Sequence, residues 1–178
     1  MKRRTPLSLM TAVLLSGIFA CITSISVSAQ TPTSQGVSKI NWVGFDDGLA
    51  KAGQEKKLIL LDIYTDWCTW CKEMDNTVYT NNQVVDYINE HYVAVKLNAE
   101  SDNRIHYMDN NLTQRELSYA MQVVSYPTTV FLKADGKPII RLPGYVPPET
   151  FRDIIEFINM GDYNKMSFED WQKSKIKQ

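Results

Sequence analysis

Three observations predict an α/β protein with a central mixed β-sheet flanked by helices on both faces. Apolar runs of strand length alternate with segments of helical period along the middle of the chain. A strand that reaches the next strand through a helix implies parallel pairing. Late in the chain, Ala134-Asp135-Gly136-Lys137 joins two further strand-like runs, and an Asp-Gly turn there makes an antiparallel hairpin.

The 178 residues, 44% apolar and 22% charged, suffice for one domain with a real core. No long charge run marks a nucleic-acid binder, and nothing calls for an oligomer, so a monomer is expected. Residues 1–29 read as a signal peptide. Lys2, Arg3 and Arg4 form a basic start, Leu7 to Ala20 is mostly apolar, and Val27-Ser28-Ala29 offers the small residues a signal peptidase requires. The apolar stretch is short for a membrane span, which needs about 20 residues. Export and a soluble mature protein are therefore expected, with 16 basic against 20 acidic residues after cleavage. Cys21 ends the apolar run where a bacterial lipoprotein carries its lipidated cysteine, so a lipid anchor is the alternative, although Phe19 is bulky for that pattern.

Residues 30–38 form a polar lead-in with Pro and Gly. Lys39 to Val43 reads as a short strand with Trp42 as a core candidate, and Asp46 to Lys56 as an amphipathic helix spaced by Phe45, Leu49 and Ala52. Leu58 to Tyr64 is a buried strand, apolar except for Asp62. A helix starts near Cys68 and ends about Asp75-Asn76-Thr77. A second helix opens at Asn81-Asn82 with Val84, Val85 and Ile88 facing inward. Tyr92 to Leu97 is another strand, and Asn98 to Asn111, polar and without period, reads as a loop. Thr113 caps a helix to Met121, with Glu116 completing a capping box. Thr128 to Lys133 and Pro138 to Leu142 form the hairpin, and Glu149 to Met160 a final helix with Phe151, Ile154, Ile155 and Ile158 on one face. In the tail, residues 161–178, a capped helix starts at Ser167, with Trp171 and Ile176 expected to dock it.

Chemistry concentrates at Asp66-Trp67-Cys68-Thr69-Trp70-Cys71-Lys72, where two cysteines three apart can close a disulfide across one helical turn. With Cys68 at the helix start, unpaired amides and the helix dipole favour its thiolate. Cys68 is then a partly exposed nucleophile, and Cys71, one turn on and more buried, resolves the mixed disulfide. The competing readings are two inert cysteines or half of a zinc site. Zinc needs two more ligands, and His91 and His106 lack the usual spacing, so no metal is expected.

These residues resemble the thioredoxin superfamily from about Asn41 to Met160. The resemblance is carried by Trp67-Cys68-x-x-Cys71-Lys72, Asp62, Lys96 within Val93 to Asn98, Tyr126-Pro127-Thr128 and Gly144. Within it, the run Asp66 to Met74 is most similar to the C-terminal periplasmic domain of the DsbD family of membrane thiol–disulfide interchange proteins. The resemblance implies a thioredoxin fold over residues 39–160 and a thiol–disulfide oxidoreductase of the protein-disulfide reductase type. No cofactor beyond the Cys68–Cys71 disulfide is implied. Asp62 becomes the buried acid that takes the proton of Cys71, and Lys96 its charge partner. Pro127 becomes a cis-proline, which sequence alone would not predict because cis is the minority state. Tyr126 would pair its backbone with an extended substrate. Trp67, Thr69 and Trp70 would meet the substrate, and Trp70 could shape access or redox poise. The implied partners are disulfides of exported proteins and a membrane thiol electron donor of the DsbD type. Thr69-Trp70 departs from the Gly-Pro of cytosolic thioredoxins and the Pro-His of the oxidant DsbA, so a dithiol oxidant or isomerase stays open. So does a non-catalytic binding module with a static disulfide.

Overall fold

The computed structural model describes residues 39–176, so the expected signal peptide, the lead-in and Cys21 lie outside the described residues. Four strands form the main sheet: β1 (Leu58–Tyr64), β2 (Tyr92–Asn98), β5 (Thr128–Leu132) and β6 (Pro138–Pro143), in the order β2-β1-β5-β6. β1 and β2 are parallel; β5 runs antiparallel to β1, and β6 antiparallel to β5. The parallel pair needs a crossover, supplied by α2 (Thr69–Thr77) and α3 (Asn82–His91). The β5–β6 pair needs only the Asp-Gly turn, in which Gly136 takes a φ of 83° that a side chain would resist.

Side-chain alternation divides the sheet into two apolar layers. Ile59, Leu61, Ile63, Val93, Val95, Leu97, Val130 and Leu132 share one layer with Phe45 and Ala52 of α1 (Phe45–Glu55) and Leu117 of α4 (Gln114–Ala120). Leu60, Ala94 and Phe131 face the other way, onto Met74 of α2, Val84, Val85 and Ile88 of α3, and Phe151, Ile155 and Ile158 of α5 (Pro148–Asn159). Helices thus cover both faces of a mixed sheet.

Local signals place several ends. The Asn81 side chain accepts from the amides of Gln83 and Val84 at the start of α3. Thr113 and Glu116 close a reciprocal capping box at α4. Ser167 Oγ accepts from the Asp170 amide at 3.1 Å ahead of α6 (Phe168–Ile176), whose Trp171 packs against Phe157 of α5.

Three expectations are corrected. Lys39 to Val43 does not form a strand: Val43 makes a single bridge to Val95, because the chain turns into α1 two residues later. Asn98 to Asn111 is not a plain loop but carries β3 (Arg104–Tyr107) and the start of β4 (Asn110–Thr113), which pair as a hairpin. Ile105 opposite Leu112, with Tyr107 on the same face, gives it an apolar side that seals the layer beneath α1 and α4. Ile176 does not dock the tail; it is 86% exposed, and Trp171 alone of the two expected anchors is buried.

Candidate active site

β1 ends at Tyr64, and Thr65 turns the chain: its carbonyl accepts the Cys68 amide at 3.2 Å. Cys68 stays extended and caps α2, with its sulfur accepting the Cys71 amide at 3.0 Å and its carbonyl accepting the Lys72 amide at 3.3 Å. A sulfur placed to receive a helix-terminal amide is the arrangement that also stabilises a thiolate there. Cys68 and Cys71 are joined by a disulfide. Burial differs from the expected graded pair: Cys68 is 4% exposed and Cys71 5%. With both sulfurs bonded and the first folded back onto the amide of the second, neither is the more accessible.

Beneath α2 the inner face of the sheet turns polar. Asp62 lies in register with Lys96 of β2 and Thr129 of β5, so all three point to the α2 side. Asp62 is 2% exposed, and burial pushes its carboxyl up to about 6, against the opposing pull of the Lys96 ammonium and with a smaller upward push from Asp75. Lys96 Nζ stands 3.6 Å from Asp62 Oδ2 and forms a tighter pair with Asp75 Oδ1 of α2. Its ammonium also sits over the rings of Trp42, Tyr64 and Tyr79, 5.1–5.9 Å from their centroids. Asp62 Oδ1, the Tyr79 hydroxyl and Thr129 Oγ1 are buried, and none of them closes a hydrogen bond. Burial holds Tyr79 well above the ordinary phenol range, so it remains a neutral donor.

The rim is aromatic. Trp67 meets Tyr126 edge-on, with centroids 6.0 Å apart, and donates its indole N–H to Glu100 Oε1 at 3.0 Å. Trp70 leans on Tyr145 at 5.6 Å. Thr69 is exposed at the first position of α2. The Tyr126–Pro127 peptide bond is cis, Pro127 is buried, and its carbonyl accepts the Gly144 amide at 2.7 Å.

Cys68, Cys71, Asp62, Lys96, Trp67, Thr69, Trp70, Tyr126 and Pro127 therefore gather at one end of the sheet. Asp75, Tyr79, Thr129, Glu100 and Tyr145 join them without having been singled out by sequence. Asp75 carried a signal, since it lies four residues after Cys71 on the same helix face. Glu100 and Tyr145 sit in segments without periodicity and carried none. Among the described residues, no group of three His, Cys, Asp or Glu could hold a metal, and no helix is long and apolar enough to cross a membrane.

Residues 45–159 match the family model described as a thioredoxin-like domain. The thiol:disulfide interchange protein DsbD of Vibrio vulnificus strain CMCP6 is 34% identical over 137 residues, which cover 74% of this chain and 21% of the relative. DsbD of Vibrio cholerae is 30% identical over 133 residues, covering 70% of this chain and 21% of the relative. The chain thus spans about a fifth of the length of the curated relatives it matches. Among solved structures, a thioredoxin-fold protein from Helicobacter pylori superposes with a TM-score of 0.55 at 28% identity, covering 69% of this chain and 81% of the other. A thioredoxin from Thermus thermophilus gives 0.57 at 21% identity over 68% and 87%, a likeness of fold alone. A disulfide capping α2, a family match across the sheet and homology to the thioredoxin-like domains of DsbD converge: the chain belongs to the thioredoxin-like thiol–disulfide oxidoreductase family.

Proposed function

We propose that this protein is an exported, periplasmic reductase that opens disulfides in other exported proteins and is recharged by a membrane dithiol donor of the DsbD type. The observation that carries the reading is the Cys68–Cys71 pair at the start of α2 above a buried acid whose carboxyl is held near 6. The Cys68 thiolate attacks a substrate disulfide, forming a mixed disulfide and releasing one substrate thiolate. Cys71 then yields its proton to the Asp62 carboxylate, with Lys96 balancing the charge, and attacks the Cys68 sulfur. The second substrate thiol leaves, the Cys68–Cys71 disulfide closes, and two electrons have passed from the dithiol to the substrate. Tyr126 beside Pro127 supplies the backbone edge for an extended substrate, while Trp67, Thr69 and Trp70 border the reacting sulfur. Export rests on the leader features of residues 1–29, and the donor on the likeness to DsbD.

Two measurements test the reading. Cys68→Ala abolishes insulin reduction if the protein is an oxidoreductase and leaves partner binding intact if it is a binding module. Equilibration with glutathione buffers gives the direction. A potential near or below about −220 mV places the protein among reductants, whereas one near about −120 mV makes it a disulfide donor and overturns the reductase assignment.

A further inference from the structure

Two aromatic pairs stand at the disulfide end of the sheet, one toward each face. Because β5 opposes β1 and β6 opposes β5, the residues after β2, before β5 and after β6 share the end where β1 delivers Cys68. Tyr126, the partner of Trp67, packs with the layer under α1 and α4; Tyr145, the partner of Trp70, packs with the layer under α3 and α5. The redox pair therefore lies between two walls.

Both walls are held from behind. Trp67 is tied to Glu100, whose own backbone is fixed by the Arg115 guanidinium on its carbonyl at 2.7 Å and by Asn98 Oδ1 on its amide at 2.9 Å. On the other side the single Thr77 hydroxyl proton goes to the Glu73 carbonyl at 2.8 Å, so the Tyr145 hydroxyl donates to Thr77 Oγ1 at 3.1 Å. Yet Trp67 and Trp70 leave 64% and 59% of their surface to water. Large apolar rings that are exposed but already positioned bind at a low entropic cost, which is the property of an anchor site. The exposed carboxylates of Asp66 and Glu100 sit on the Trp67 side and disfavour a second negative charge.

We propose that the Trp67–Tyr126 and Trp70–Tyr145 walls select, as the preferred oxidised partner, an extended protein segment whose cystine is flanked by bulky apolar side chains and by no acidic residue. This rests on the oxidoreductase reading and adds its substrate chemistry. Trp70 is the specificity-determining residue, and Glu100 the positioning residue that holds Trp67.

The test uses the protein reduced with dithiothreitol and then freed of it, in single turnover against two synthetic cystine peptides. The peptides are identical except for Leu or Glu on either side of each cysteine, and thiol release is followed. The Leu-flanked peptide is expected to react faster by at least about tenfold, the size of one anchor contact. Trp70→Ala brings the two rates together, and Trp70→Phe restores most of the preference. Equal rates for the two peptides, or a preference that survives Trp70→Ala, overturn the proposal. A protein that reduces neither peptide nor insulin defeats the oxidoreductase reading itself, a separate outcome.

Discussion

The two faces of the same strands have been put to different uses. On the face under α1 and α4, β1 presents Ile59, Leu61 and Ile63, all essentially without solvent contact and matched by Val93, Val95 and Leu97. On the other face the same strand presents Leu60, then Asp62, then Tyr64, matched by Ala94 and Lys96 and by Thr129 of β5. One face is continuous hydrocarbon; the other changes from hydrocarbon to a buried charge as it approaches α2. The two differ by a one-residue step along the chain. A fold can thus keep an energetically costly carboxylate beneath the helix that bears the cysteines because the opposite face of the same strand supplies the cohesion that offsets it.

Substitutions at adjacent positions separate these roles. Leu61→Ala, on the hydrocarbon face, is expected to cost about 4 kcal/mol in urea unfolding, the transfer loss plus an unfilled cavity, while leaving the Cys68–Cys71 reduction potential unchanged. Asp62→Asn, one residue on, should act in the opposite sense. The native carboxyl titrates near 6 and the unfolded one near 3.8, so the folded state holds its proton more tightly. The stability from that proton is present below about pH 4 and is lost as pH rises to about 6. At pH 7 the wild type carries a penalty of about 3 kcal/mol that the asparagine removes, flattening stability between those values. On the proposed mechanism the same variant should also slow release of the mixed disulfide. Equal stability of the two proteins at pH 7 would show that the Lys96 ammonium already offsets the burial of Asp62.

Smaller effects sharpen the contrast. Lys96→Met removes the cation that lowers the Asp62 carboxyl, so the upper end of the pH-dependent window should move upward in urea titrations at successive pH values. Gly48→Ala puts a methyl against Val95 Cγ2 inside van der Waals contact, from the α1 side of the hydrocarbon face. The clash should outweigh the gain in helix propensity and leave a net loss of about 1 kcal/mol. Thr113→Ala opens the capping box of α4 and should cost a similar amount, about 1 kcal/mol, read from the thermal midpoint.

Sequence alone determined what near neighbours decide. The strand at Leu58 to Tyr64, the Asn81 and Thr113 caps, the Asp-Gly hairpin and the apolar stripe of α5 each depend on residues within one or two turns of one another, and each is where its pattern puts it. The cysteine pair at the start of a helix was legible for the same reason. Tertiary structure decided what depends on the order of strands. Ile105 and Leu112 make a hairpin only because a layer beneath α1 and α4 needs covering, and Val43 stops at one bridge because the chain leaves the edge of β2 at once. Likewise, the division of Lys96 between Asp62 and Asp75, the tie from Glu100 to Trp67 and the meeting of Trp70 with Tyr145 join residues 21 to 75 positions apart. No local period encodes such contacts; they exist because one sheet end gathers the loops that make them.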